Sequence, residues 1–163
     1  MATCYYHGPI GLYCLEERNQ VLTRLWLGDR LNRDLLQTEE TALLREAHRQ
    51  LEAYFAGKLK EFSLPLAPAG TPFQLKIWKL VQDIPYGETL TYGQLAQRSG
   101  NKNACRAVGM ANSRNPLPIF IPCHRVLGSH GKLTGYTGGL DIKCKLLNIE
   151  QAGLFTCKTA LPV

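Results

Sequence analysis

Residues 91–126 read TYGQLAQRSGNKNACRAVGMANSRNPLPIFIPCHRV, and where this run places two short helices and a proline-bounded cysteine decides the fold. Thr91 stands three residues before Gln94, a capping-box spacing, which predicts a helix through Leu95 and Ala96 that stops at Ser99-Gly100. Asn103 caps a second helix, from Ala104 to about Ser113. Two short helices joined by a polar Gly-Asn-Lys turn have the form of a helix-turn-helix. In the second, Ala104, Cys105, Ala107, Val108, Gly109 and Ala111 are nearly all small, Arg106 is long, and Lys102 and Arg114 flank it. A helix of that kind can approach another surface closely. It suits a narrow groove, because readers of the major groove present several long polar side chains to base edges. The alternative is a tightly packed internal helix, which leaves Arg106 needing a buried partner.

Downstream, prolines at 116, 118 and 122 bound the apolar run that ends at Cys123-His124-Arg125. Prolines fix the backbone and remove donors, so the segment can hold Cys123 at a defined depth. A thiol reacts as thiolate, and His124 and Arg125 are placed to lower its pKa or take its proton. Neighbours in an extended chain point to opposite sides, so a Cys–His contact needs a turn or a bridging water. The histidine needs an orienting carboxylate. Glu150 is the candidate: a helix predicted over about Leu140 to Gln151 carries Ile142, Leu146, Leu147 and Ile149, and Glu150 lies four residues beyond Leu146 on that stripe. The bland alternatives are an inert buried thiol and an exposed helix-end carboxylate. Between the cysteine and that helix, Gly128-Ser129-His130-Gly131 and Gly135-Tyr136-Thr137-Gly138-Gly139 allow close backbone approach to a flat ligand, or form a simple hairpin.

Working back from Thr91, Thr71-Pro72 opens a helix with proline at its first position, and Phe73, Ile77, Leu80 and Val81 form its expected buried stripe. The Pro-rich stretch from Leu64 to Gly70 follows a short strand expected at Glu61 to Leu64, and the domain boundary is placed there. Further upstream, Thr38 opens a helical pattern through Ala42, Leu43, Ala47, Leu51, Tyr54 and Phe55, ended by Gly57. The β-prone runs Thr3–Tyr6, Ile10–Leu15 and Val21–Leu27 predict a small antiparallel sheet. The expected fold is α+β: an N-terminal sheet lobe with one helix (1–70), then a mainly helical lobe with the helix-turn-helix and the active cysteine (71–163).

Charge follows this division. Residues 1–70 carry 8 Lys/Arg against 9 Asp/Glu, while residues 71–163 carry 11 against 4. Between Glu88 and Asp141 there is no acid, only Arg98, Lys102, Arg106, Arg114, Arg125 and Lys132, an electrostatic footprint for a polyanion or a merely solubilising surface. No run approaches the ~20 apolar residues of a membrane span, and no export leader is recognisable, so no membrane partner is expected. The six cysteines lack C-x-x-C spacing, which predicts reduced thiols. Cys4, His7, Cys14 and His48 lack a metal-site spacing, so no metal and no cofactor are expected.

The motifs IPCHRV (121–126), RAVG (106–109), Asn115-Pro116 and GYTGG (135–139) together resemble the O6-alkylguanine-DNA alkyltransferases over roughly Thr71 to Gly153. The resemblance implies single-turnover DNA repair, in which Cys123 takes the alkyl group from a flipped-out O6-alkylguanine, with O4-alkylthymine left open. It implies that His124 acts through a water as base, that Glu150 orients it, and that Tyr92 pushes the phosphate and helps protonate the leaving guanine. Arg106 is then the finger that replaces the extruded nucleotide, on a DNA-binding surface with Tyr92, Ala104, Cys105, Ala107, Gly109 and Arg114. Asn115, Val126, Tyr136, Thr137 and Gly138 form the base pocket. The implied partner is double-stranded DNA read from the minor groove by a monomer, with cooperativity left open. The implied location is the cytoplasm, or the nucleus of a eukaryote. Cys105 and the Met110-Ala111-Asn112 wording depart from the family pattern. Three rivals remain: a DNA-binding regulator indifferent to Cys123, a cysteine hydrolase with turnover, and a lesion binder that does not react.

Overall fold

In the computed structural model, the residues described are 1–28, 38–136, 138–151 and 155. The chain divides into two compact units, Met1–Ala69 and Gly70–Val163.

The first unit is built on a three-stranded antiparallel sheet in the order β1 (Ala2–Gly8), β2 (Gly11–Arg18), β3 (Val21–Leu27). β2 runs past the expected turn at Glu16, and the reversal falls on Asn19 and Gln20, both with positive φ. Four successive residues of β2, Tyr13 to Glu16, are buried, so both faces of the central strand are covered. Helix α1 (Ala42–Phe55) packs on all three strands through Leu44, Ala47, Leu51 and Tyr54. It starts later than expected. Thr41, not Thr38, is the N-cap, its hydroxyl accepting from Leu44 N at 3.1 Å, while Thr38 bridges to Thr3. The expected strand at Glu61–Leu64 is absent. Residues 65–67 pair with β3 instead, through Leu22 N to Pro65 O and Ala67 N to Leu22 O, both 2.9 Å.

The second unit packs α2 (Pro72–Gln82), α3 (Tyr92–Arg98) and α4 (Cys105–Ser113) against one another, with α5 (Leu140–Gln151) behind the cysteine turn. Complete capping boxes start α2 at Thr71/Gln74 and α3 at Thr91/Gln94. Helix α4 has no such cap. Ala104 holds its N-cap position, and the Asn103 side chain expected there contributes no capping bond. The helix is held instead by tertiary contacts further along it: Trp78 Nε1 donates 2.8 Å to Ala111 O near its C-terminal end, and Val108 and Ala111 are buried. The buried face of α2 is Ile77, Trp78 and Val81, whereas Phe73, expected inside, is 39% exposed. Strands β4 (Leu90–Thr91) and β5 (Val126–Leu127) pair in parallel, tying the start of α3 to the residues just after Cys123. Among the described residues no helix is long and apolar enough to cross a membrane.

Candidate active site

The approach to the cysteine is held by a side chain rather than by regular structure. Pro116, Pro118 and Pro122 have no N–H to donate. Asn115 supplies the missing bonds: its Oδ1 accepts from Leu117 N at 2.9 Å and its Nδ2 donates to Ile121 O at 2.8 Å. Ile119 adopts φ 75°, a conformation costly for a β-branched residue, and is held there at 2% exposure. Pro122 then leads into one 3₁₀ turn, Cys123–Arg125, which is the turn that lets neighbouring side chains serve one site.

All three side chains of that turn are buried. His124 Nε2 and Glu150 Oε2 are 2.6 Å apart. Arg125 grips the same carboxylate with both arms of its guanidinium, Nε to Oε1 at 2.8 Å and Nη2 to Oε2 at 3.1 Å, while its Nη1 donates to Ile84 O at 2.6 Å. Gly87 N adds a bond to Glu150 Oε1 at 3.3 Å. Burial opposes the charge on Glu150, but His124 and Arg125 outweigh it and hold the carboxyl at about 2. Burial lowers His124 below its ordinary value, with Glu150 pulling the other way.

The thiol behaves otherwise than the sequence suggested. Burial pushes Cys123 up to about 11, and the groups that pull it back are the Asn115 amide and the Lys143 ammonium rather than His124 and Arg125. Lys143 is fully buried on α5 and donates to Val126 O at 2.7 Å, Thr134 O at 2.9 Å and Gly135 O at 3.4 Å. It thereby joins β5 to the glycine loop. Burial draws Lys143 itself down to about 8.

Tyr92, at the first position of α3, faces this region across two glycines. A Cβ on Gly109 would stand 3.8 Å from its ring, and one on Gly135 3.8 Å from its hydroxyl. Burial raises its pKa, with the Asn112 and Thr134 side chains pulling back. The Tyr136 hydroxyl is buried without a hydrogen-bond partner among the described residues. Gly138 is half-buried, and Thr137 lies outside the described residues.

Residues 72–152 match the family described as 6-O-methylguanine DNA methyltransferase, DNA binding domain, and residues 1–68 match its ribonuclease-like domain. The chain belongs to this methyltransferase family. The methylated-DNA–protein-cysteine methyltransferase of Methanosarcina acetivorans is 60% identical over 112 residues, 69% of this chain and 72% of that one. The constitutive enzyme of Bacillus subtilis is 48% identical over 150 residues, 88% of this chain and 91% of its own. The crystal structure of Mycobacterium tuberculosis OGT in complex with DNA superposes with a TM-score of 0.87 at 43% identity, covering 93% of this chain and 94% of that one.

In this methyltransferase Cys123, His124 and Glu150 therefore stand in one buried cluster, with Asn115 and Val126 bonded into its walls. Arg106, Cys105, Ala107 and Arg114 are exposed on α4, with Ala104 and Gly109 half-buried beside them. The sequence reading missed two members. Arg125 is part of the carboxylate array rather than of the basic surface, and Lys143 was passed over. The signal for Lys143 was present, because Lys143, Leu147 and Glu150 at i, i+4 and i+7 share one helix face. The expectation of reduced thiols holds at Cys4, Cys14, Cys105 and Cys123, which are free, and fails at Cys144, which is disulfide-bonded; Cys157 lies outside the described residues.

Proposed function

We propose that this chain repairs DNA by moving the alkyl group of O6-alkylguanine onto the sulfur of Cys123, once per molecule. The observation that carries the reading is the buried array in which a cysteine, a histidine and an arginine-held carboxylate share one turn and one helix face. A thiol pushed to about 11 is protonated at neutral pH, so its proton has to leave as the sulfur attacks. His124, lowered by burial, is neutral and able to receive that proton through a water, with Glu150 fixing the ring by its bond to Nε2. The sulfur–carbon bond forms, the carbon–O6 bond breaks, and its electron pair stays on the guanine. Tyr92, kept protonated by burial, supplies the proton that neutralises the leaving base. Among the described residues no group stands out that would cleave the thioether product, so the protein is consumed.

The O6 substituent is beyond reach while the base is stacked, and extruding it costs a few kcal/mol. Arg106, exposed on a helix whose neighbours are small, fills the gap from the minor groove. Asn115, Val126, Tyr136, Thr137 and Gly138 receive the flipped base, and a monomer suffices. The test uses a duplex with one O6-benzylguanine and then the free base. Arg106→Ala should slow the duplex reaction far more than the free-base reaction, and equal loss on both would remove the finger role.

A further inference from the structure

Helix α4 carries one long apolar side chain that the alkyl-transfer site does not use. Met110 is 58% exposed, the most exposed large hydrophobe among the described residues of the second unit. It lies one turn beyond Arg106 and one turn before Arg114, so the three form a line on the solvent face of the helix. Beside it, Phe73 at 39% exposure stands across an open groove of about 270 Å³ whose other walls include Thr71, Ala107 and Arg114. No carboxylate lines this groove, and none occurs in sequence between Glu88 and Asp141. The groove is smaller than the ~300–1,000 Å³ of pockets that enclose small molecules, and it is more open to solvent than enclosed, which suits a surface contact with a polymer. An apolar wall rimmed by arginine matches one chemistry in particular: deoxyribose faces alternating with phosphates. Proteins that enter the minor groove commonly present Phe, Leu or Met there.

We propose that this groove takes the sugar-phosphate backbone of the duplex beside the extruded nucleotide, with Met110 and Phe73 packed on a deoxyribose and Arg114 on the adjoining phosphate. This rests on the repair reading and adds to it a second, apolar contact one turn from the finger. It also gives a physical use to the Met110-Ala111-Asn112 wording that departs from the family pattern.

The test compares binding of wild type, Met110→Ala, Met110→Leu and Arg114→Ala to a duplex carrying one O6-methylguanine, as a function of salt, with transfer to Cys123 measured separately. Met110→Ala should weaken binding about tenfold with an unchanged slope against log salt, and Met110→Leu should restore most of the loss. Arg114→Ala should reduce the slope by about one phosphate contact. Free O6-benzylguanine should react equally with wild type and Met110→Ala. Wild-type affinity in Met110→Ala, or a Met110→Leu variant as weak as the alanine one, overturns the groove assignment even if transfer is normal. Binding that depends on Met110 without any transfer upholds the groove and overturns the repair reading instead.

Discussion

At Cys123 the same burial that shields the thiol also withholds its reactivity, pushing it up to about 11. Proton removal is therefore part of the chemical step, and the acid limb of the pH–rate profile belongs to His124. Because burial lowers His124, single-turnover transfer should persist below the ordinary histidine value of ~6.5 and fall only under more acidic conditions. A midpoint above pH 7 would contradict the assignment. Glu150 carries the stability of the cluster. Its folded value of about 2 lies below the ~4.3 of an unfolded glutamate, so the contribution is complete above about pH 4.3 and is lost as pH falls toward 2. Glu150→Ala leaves Arg125 buried without its carboxylate and should cost about 3–5 kcal/mol, measured by denaturant unfolding at pH 7. A loss under 1 kcal/mol would show that the pair is better solvated than its burial indicates.

Two elements hold the site in register: α4 through the Trp78 bond to Ala111 O, and α5 through Lys143. Trp78→Phe removes the indole donor and leaves that carbonyl only the 3.2 Å bond from Arg114 N; it should cost about 1 kcal/mol, with duplex binding weakened more than reaction with the free base. Lys143→Met removes three carbonyl anchors and the cation that pulls Cys123 down, and should slow transfer at pH 7 by about tenfold or more while duplex binding stays near wild type. A Lys143→Met variant with a wild-type transfer rate would confine Lys143 to packing. At this scale much was legible beforehand. Thr71/Gln74 and Thr91/Gln94 announce their helices because a capping box is a local bond between residues three apart. The start of α1 was misplaced, because Thr38 and Thr41 are equally good caps and only pairing with Thr3 separates them. Residues 61–64 have strand-like composition, yet the ladder uses 65–67, a choice made by β3 and invisible locally. Phe73 fits a helical stripe by spacing but faces a groove. Of the site, Cys123, His124 and Glu150 could be named as candidates from chemistry and periodicity, with the bland alternatives open, and their roles came only from the family resemblance. The bidentate Arg125 grip and the Lys143 clamp depend on how α5 meets the 3₁₀ turn.

Over the whole molecule, charge and chemistry are segregated together: the basic excess lies in residues 71–163, which also hold the cysteine turn and the exposed arginines of α4. Affinity for duplex should therefore fall steeply with salt, while reaction with a free O6-alkylguanine base should hardly change. The chain matches both domains of its family and superposes on a relative solved with DNA, so its membership does not rest on one motif. The most direct test of the account is incubation with a duplex carrying a single radiolabelled O6-methylguanine, followed by counting label on intact protein and mapping the modified peptide. Label should appear on Cys123, rising to one per molecule and no further, and none should appear on Cys123→Ala, which should still bind the duplex. Duplex binding without label, label on another residue, or continued turnover would contradict it.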